Sequence, residues 1–180
     1  MTIDIHGKGL VAAVSAVDWA ENISLFASHA TLTEDAARVN YRLALWAKQL
    51  ETADKENTAV TFVREAQVQG HYASTLIALA LYKPAASAMR AMFESALYYS
   101  YFRTHPVEFD TLLREPSYFL DLKTVLQFHK EHSPNFTKKQ EKLGLISQIN
   151  SWYGGISAIV HGQIPGKWTT HKRLDRKSVV

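Results

Sequence analysis

Ala88-Met89-Arg90-Ala91-Met92-Phe93-Glu94-Ser95-Ala96-Leu97-Tyr98-Tyr99-Ser100-Tyr101-Phe102 is an apolar run holding two charges one helical turn apart. Its apolar residues recur at helical spacing, not in the alternation of a strand, and no glycine or proline interrupts them. Pro84, just upstream, suits the start of a helix, where its missing N–H has no intrahelical partner. The run therefore predicts a helix from Pro84 to about Thr104. Arg90 and Glu94 share one face of it and can pair there.

The same reading extends in both directions from this run. Upstream, a helix from about Leu10 to Ser28 carries Val11, Val14, Val17, Ile23 and Phe26 as its apolar stripe. Thr31-Leu32-Thr33-Glu34 has the form of a capping box and starts a second helix reaching about Thr52. A third runs from after Asn57 to about Tyr82, with Val60, Val63, Leu76 and Ala80 inward. Downstream, His105-Pro106 and Glu115-Pro116 bracket a short helix, and a longer one runs from Pro116 to about His132. Asn135 and Thr137 are candidate caps for a last long helix from Lys138, kinked at Gly154-Gly155. The fold class is all-α. The expectation is a single up-and-down helical bundle of about five to seven helices over residues 1–162, followed by a basic C-terminal tail over 163–180.

Composition agrees with a globular chain: 180 residues, 47% hydrophobic and 21% charged. The chain has no cysteine, so a disulfide framework and a thiolate metal site are both ruled out. The first residues lack a signal-peptide pattern. The apolar stretch Tyr72 to Tyr82 is too short to span a membrane, so it reads as core. The expected setting is the cytoplasm, with no membrane contact. Of the net charge of +3, the basic share is concentrated after Gln163, where Lys167, Lys172, Arg173, Arg176 and Lys177 face only Asp175. The preceding 162 residues hold fifteen basic and sixteen acidic side chains. The tail's cations are the candidate nucleic-acid contacts, since neutralised phosphates release counterions.

Two constellations could carry chemistry. Arg90 and Glu94 are charges on an apolar helix and need compensation there. Ser157 and His161 stand four apart at the end of the last helix, and a histidine supplies a base near neutral pH. His129 and His132 have a metal-compatible spacing but lack an identifiable third ligand, so neither a metal nor a cofactor is expected. The aromatic series Phe93, Tyr98, Tyr99, Tyr101 and Phe102 reads as core and interface.

The Pro-started helix bearing Arg90 and Glu94, with Ser157 and His161 late in the chain, resembles the HEPN superfamily. The likeness is nearest to HEPN-like proteins of bacterial abortive-infection and phage-defence loci, and it covers roughly Ala59 to Gly162. It implies a dimeric helical bundle. In the family's active members it also implies a metal-independent ribonuclease with an Arg-x(4-6)-His motif, in which two protomers share a cleft. Arg64 and His71 meet that spacing, although Glu65 stands where the family has Asn, Asp or His. His161 sits at the fitting place, but Gly154, Gly155 and Ile156 stand where the motif's arginine would be.

The missing arginine favours a catalytically silent homodimer, a sensing or scaffold module of a defence system with RNA or a partner protein as its target. The alternative is a HEPN-type ribonuclease. Its catalytic residues would be His161, Arg90, Glu94 and Ser157, or Arg64 and His71.

Overall fold

The computed structural model describes residues 5–163. They form nine helices, and no strand occurs among them: α1 Ile5–Ser15, α2 Trp19–Ser28, α3 Ala30–Ala53, α4 Val60–Ala78, α5 Tyr82–Phe102, α6 Pro106–Arg114, α7 Leu122–His132, α8 Phe136–Leu143 and α9 Leu145–Val160. The all-α expectation holds, with more and shorter helices than expected.

α5 lies at the centre. It packs along α4 over its broadest contact and also touches α6, α7 and α9, while α3 packs against α4. The reason is legible in two stripes of small and apolar residues. Val63, Ala66, Gly70 and Ala73 are the buried positions of α4, at three- and four-residue spacing, and Ala85, Ala88, Ser95, Tyr99 and Phe102 lie buried along one stripe of α5 at spacings of three, seven, four and three. A β-carbon at Gly70 would lie 2.9 Å from Asn40 Oδ1, 3.0 Å from Leu43 Cδ1 and 3.4 Å from Met92 Sδ. The glycine thus lets α3, α4 and α5 approach closely.

Toward the C-terminal end of α5 the small residues give way to an aromatic core. Phe62 of α4 meets Tyr98, Phe102 and Phe109 with ring centroids 5.4, 5.6 and 5.4 Å apart. Tyr101 meets Phe128 of α7 at 5.1 Å. Burying rings of this size is the largest single contribution a side chain makes to a core. Polar tips find partners: Tyr99 Oη donates to Asp54 Oδ2 (2.8 Å) and Tyr101 Oη to Glu108 Oε2 (2.6 Å).

Several boundaries differ from the sequence reading, each for a local reason. The first expected helix is two, because Asp18 turns the chain and caps α2, its side chain accepting from Glu21 N (2.8 Å). Val11, Val14 and Ile23 are exposed, and only Val17 of that stripe is buried. By length and composition Gly7–Ser28 could cross a membrane, which the expectation of no membrane contact overlooked; it carries Lys8, Asp18 and Glu21 and is broken at 16–18.

The Thr31–Glu34 capping box does not form. α3 already begins at Ala30, and Thr33 Oγ1 donates to the carbonyls of Phe26 (2.9 Å) and His29 (3.0 Å). α4 stops at Ala78 because Ala80 adopts a left-handed φ of 58°. Its N–H donates to Ile77 O and that of Leu81 to Leu76 O, the paired bonds of a Schellman turn. Pro84 falls in the first turn of α5 but does not open it.

Residues 115–121 are not helical, and α7 starts at Leu122 under an Asp121 cap that accepts from Thr124 N (2.6 Å). Asn135 precedes α8 with a left-handed φ of 61° and makes no side-chain cap bond, while Thr137 Oγ1 donates to Lys130 O (3.3 Å). The last expected helix is interrupted at Gly144, whose φ is 63°, and runs unbroken through Gly154-Gly155.

Candidate functional site

α9 ends in a Schellman turn. Gly162 takes a left-handed φ of 65°, its N–H donates to Ile159 O (3.1 Å), and Gln163 N donates to Ala158 O (3.0 Å). A glycine is favoured there because an L side chain at that φ is strained. The turn leaves His161 at the helix C-cap, exposed, with its ring directed at α5.

There the two sequence-predicted pairs meet. Arg90 Nη1 lies 3.2 Å from His161 Nε2, and Arg90 Nε donates to Glu94 Oε1 (2.8 Å). A guanidinium can only donate, so Nε2 accepts and the imidazole proton sits on Nδ1 in this arrangement. Tyr153 of α9 completes the cluster. Its hydroxyl donates to the same Glu94 Oε1, and the Arg90 guanidinium carbon stands 4.9 Å from its ring centroid. One charge is thus held by an ion pair, a ring face and an imidazole.

The electrostatics follow from that packing. The hydrogen bond from Arg90 to Glu94 raises the arginine's pKa further, against the opposing effect of burial. Burial and the bond to Glu94 push the Tyr153 hydroxyl up to about 12, so it remains a donor throughout the physiological range. Arg90 and Glu94 are only partly buried, their side chains 26% and 33% exposed.

A cavity of about 540 Å³ opens beside the pair, lined in part by Arg90, Glu94, Tyr98, Asp121, Lys123 and Tyr153. Mixed charge and aromatic faces suit a polar, partly aromatic ligand.

The remaining candidates are placed elsewhere. Ser157 lies one turn before His161, but its Oγ is buried and finds no hydrogen-bond partner among the described residues. Arg64 and His71 sit on exposed positions of α4, seven residues apart, which is about 10.5 Å along a helix. Arg64 is engaged with Glu51 and with Gln67 Oε1 (2.8 Å). Both ring nitrogens of His129 lie 2.8 Å from serine hydroxyls, those of Ser100 and Ser133, and burial lowers its pKa. Among the aromatic series, Tyr99, Tyr101 and Phe102 are buried in the core, while Phe93 packs on Trp152 at 5.1 Å. Lys167, Lys172, Arg173, Arg176 and Lys177 lie outside the described residues.

Sequence reasoning missed Tyr153. A signal existed, because Tyr153, Ser157 and His161 recur every four residues along one stripe of the last helix. No family model, curated protein or solved structure matches this chain.

Proposed function

We propose that the chain is a HEPN-like, up-and-down helical bundle that forms a cytoplasmic homodimer. It serves as a sensing or scaffold module of a bacterial defence system, and it recognises RNA through phosphate contacts at Arg90 and His161. The contact between those two residues carries the reading. It joins the Arg90–Glu94 helix to the Ser157–His161 helix end at one exposed corner, and these are the motifs on which the resemblance rests. In the sequence the helix end that carries His161 is followed by the basic segment with Lys167, Lys172, Arg173, Arg176 and Lys177, a second source of phosphate contacts. The exposed apolar side chains Leu10, Val11, Val14, Leu32, Val39 and Tyr41 support a second copy as the covering surface.

A silent module fits better than an enzyme because no arginine stands at the motif's distance before His161, where Gly154, Gly155 and Ile156 are found. The experiment is fluorescence anisotropy of a labelled single-stranded RNA against the full chain in metal-free buffer. Intact RNA should bind saturably, and Arg90→Gln should weaken the complex about tenfold, as loss of a charged phosphate contact does. Absence of saturable binding at micromolar protein would sink this reading.

The Arg90–His161 contact also favours a second reading, a ribonuclease. His161 would take the 2′-hydroxyl proton, and the 2′-oxygen would attack phosphorus to form a cyclic phosphate. The 5′-oxygen would leave with a proton from a second copy's imidazole, and Arg90 would bear the developing charge. RNA cleavage without added metal that disappears in His161→Ala would establish it.

A further inference from the structure

We infer that the groove between α4 and α5 is a slot for one base of single-stranded RNA, whose phosphate lies on Lys83 next to the Arg90–His161 pair. The inference rests on the proposed RNA reading and deepens it, naming an unpaired strand as the ligand and two further residues as its contacts.

Lys83 opens the argument. It is seven residues before Arg90, so Lys83, Ser87, Arg90 and Glu94 fall along one stripe of α5. A β-carbon at Gly162 would lie 3.4 Å from Lys83 Nζ, which sets the ammonium beside the glycine that follows His161. Glu94 offsets Arg90, but Lys83 is exposed and takes part in no ion pair among the described residues. The corner therefore holds an uncompensated cation within reach of the arginine–histidine pair. A polyanion running across the end of α9 meets these groups in succession.

The groove begins at the same lysine. It encloses about 740 Å³, and Gln69, Tyr72, Leu76, Lys83, Ser87 and Ala88 are among its lining residues. Its floor is apolar, and no carboxylate lines it. Tyr72, one of its lining residues, is 56% exposed and offers an aromatic face to solvent, whereas Phe62 of the same helix is packed against the core. Gln69, Thr75 and Ser87 offer donors and acceptors to a base edge.

A flat apolar floor, a free ring face and a cation at one end are the components that hold an unstacked nucleotide: stacking grips the base, and the cation takes the phosphate. A duplex cannot use such a slot, because its bases are already stacked on one another. Charge complementarity argues for this occupant: the groove is lined by Lys83 and by no carboxylate, so it presents an unopposed positive charge to an anionic ligand.

The test compares a labelled single strand with the same sequence as a duplex, using the full chain and the variants Tyr72→Ala, Lys83→Gln and Arg90→Gln across a salt series. Both new substitutions are at exposed positions, so their melting temperatures should match the parent's. The single strand should bind more tightly than the duplex. Tyr72→Ala should weaken it at least about fivefold, as loss of one stacked base does. Lys83→Gln should flatten the slope of log affinity against log salt by about 0.7, the share of one single-strand phosphate contact.

Parent-like affinity and slope in both variants, with Arg90→Gln still impaired, would overturn the slot and leave the RNA reading standing. Equal affinity for the duplex would overturn it as well. So would a Tyr72→Ala protein that sediments as a monomer where the parent is a dimer while binding RNA unchanged, since the groove would then belong to a second copy. A parent chain that binds no RNA removes both proposals together.

Discussion

The two ends of α5 have opposite characters on one continuous helix. From Leu97 to Phe102 the helix is walled by α3, α4, α6 and α7, its rings are buried, and its hydroxyls are tied to Asp54, Glu108 and Leu120 O. From Lys83 to Glu94 it is lined by alanine, its polar side chains face α9 and open space, and its charges are only partly covered. Large rings make the first end stable and inert. Small residues at the second bring α4 and α9 close without filling the surface, which leaves an arginine, a lysine and a groove available. The helix is anchored at one end and presents polar groups at the other.

Phe102→Ala tests the anchored end most severely. The ring is 1% exposed and touches Phe62, Tyr98, Tyr101 and Phe109. Truncation leaves a cavity, so unfolding stability should fall by about 3–5 kcal/mol. A fall of under 1 kcal/mol in urea denaturation would mean that this end is not the anchor.

Gly70→Ala probes the close approach of α3 and α4 to α5 at Met92, between the two ends. The added carbon meets Asn40, Leu43 and Met92 at 2.9–3.4 Å, so neighbouring side chains must shift, at a cost of about 1–3 kcal/mol. Ala80→Gly acts in the opposite direction at the entrance to α5. Ala80 holds the left-handed position of a Schellman turn, where an L side chain costs roughly 1 kcal/mol, so glycine should raise the melting temperature. A lower melting temperature in Ala80→Gly would show that the residue's methyl is used in packing.

These sites also indicate what could be read from sequence. The central helix was legible because its apolar spacing is long and unbroken, and Phe102 and Val63 fall where periodicity put them. Helix ends were less legible. Ala80 is a residue that favours helix, yet it takes the left-handed position of the turn that ends α4, while Gly154-Gly155, residues that usually break helices, stay within α9. Thr33 reached back to Phe26, a competing partner no local pattern reveals. At the site, Arg90, Glu94 and His161 were legible as residue types, but their meeting was not, because it spans 71 positions. Tyr153 and Lys83 enter through the same long-range packing of α9 on α5.

His129 adds a pH-dependent test of the anchored end, where it bridges Ser100 of α5 and Ser133 after α7. Burial lowers its pKa below the usual 6.5, so the folded chain favours the neutral ring while the unfolded chain protonates near 6.5. Stability is then fully present above that pH and declines as pH falls below it, because the unfolded state binds the additional proton. His129→Gln should flatten this decline in thermal melts between pH 7 and pH 5. A melting temperature that falls equally in the variant would assign the acid sensitivity to other groups.

The smallest effect on stability is expected at the open end, in the Arg90–Glu94 pair. Its geometry is good, but both side chains keep about a quarter to a third of their exposure, and water screens pairs of this kind. A double-mutant cycle with Arg90→Met and Glu94→Gln should therefore give a coupling of only about 0.5 kcal/mol, close to that of ordinary i,i+4 pairs. The single changes should differ in kind. Glu94→Gln removes the charge on which both Arg90 and Tyr153 converge, freeing the arginine toward His161 and the cavity. If the open end binds phosphate, that variant should bind RNA more tightly than the parent even though its stability is slightly lower, because Arg90 loses its compensating anion. A structural pair would behave otherwise: Glu94→Gln would lower stability by several kcal/mol, as stranding a buried charge does, and leave affinity unchanged. Measuring melting temperature and RNA affinity on this one variant therefore separates a charge held for binding from a charge held for folding.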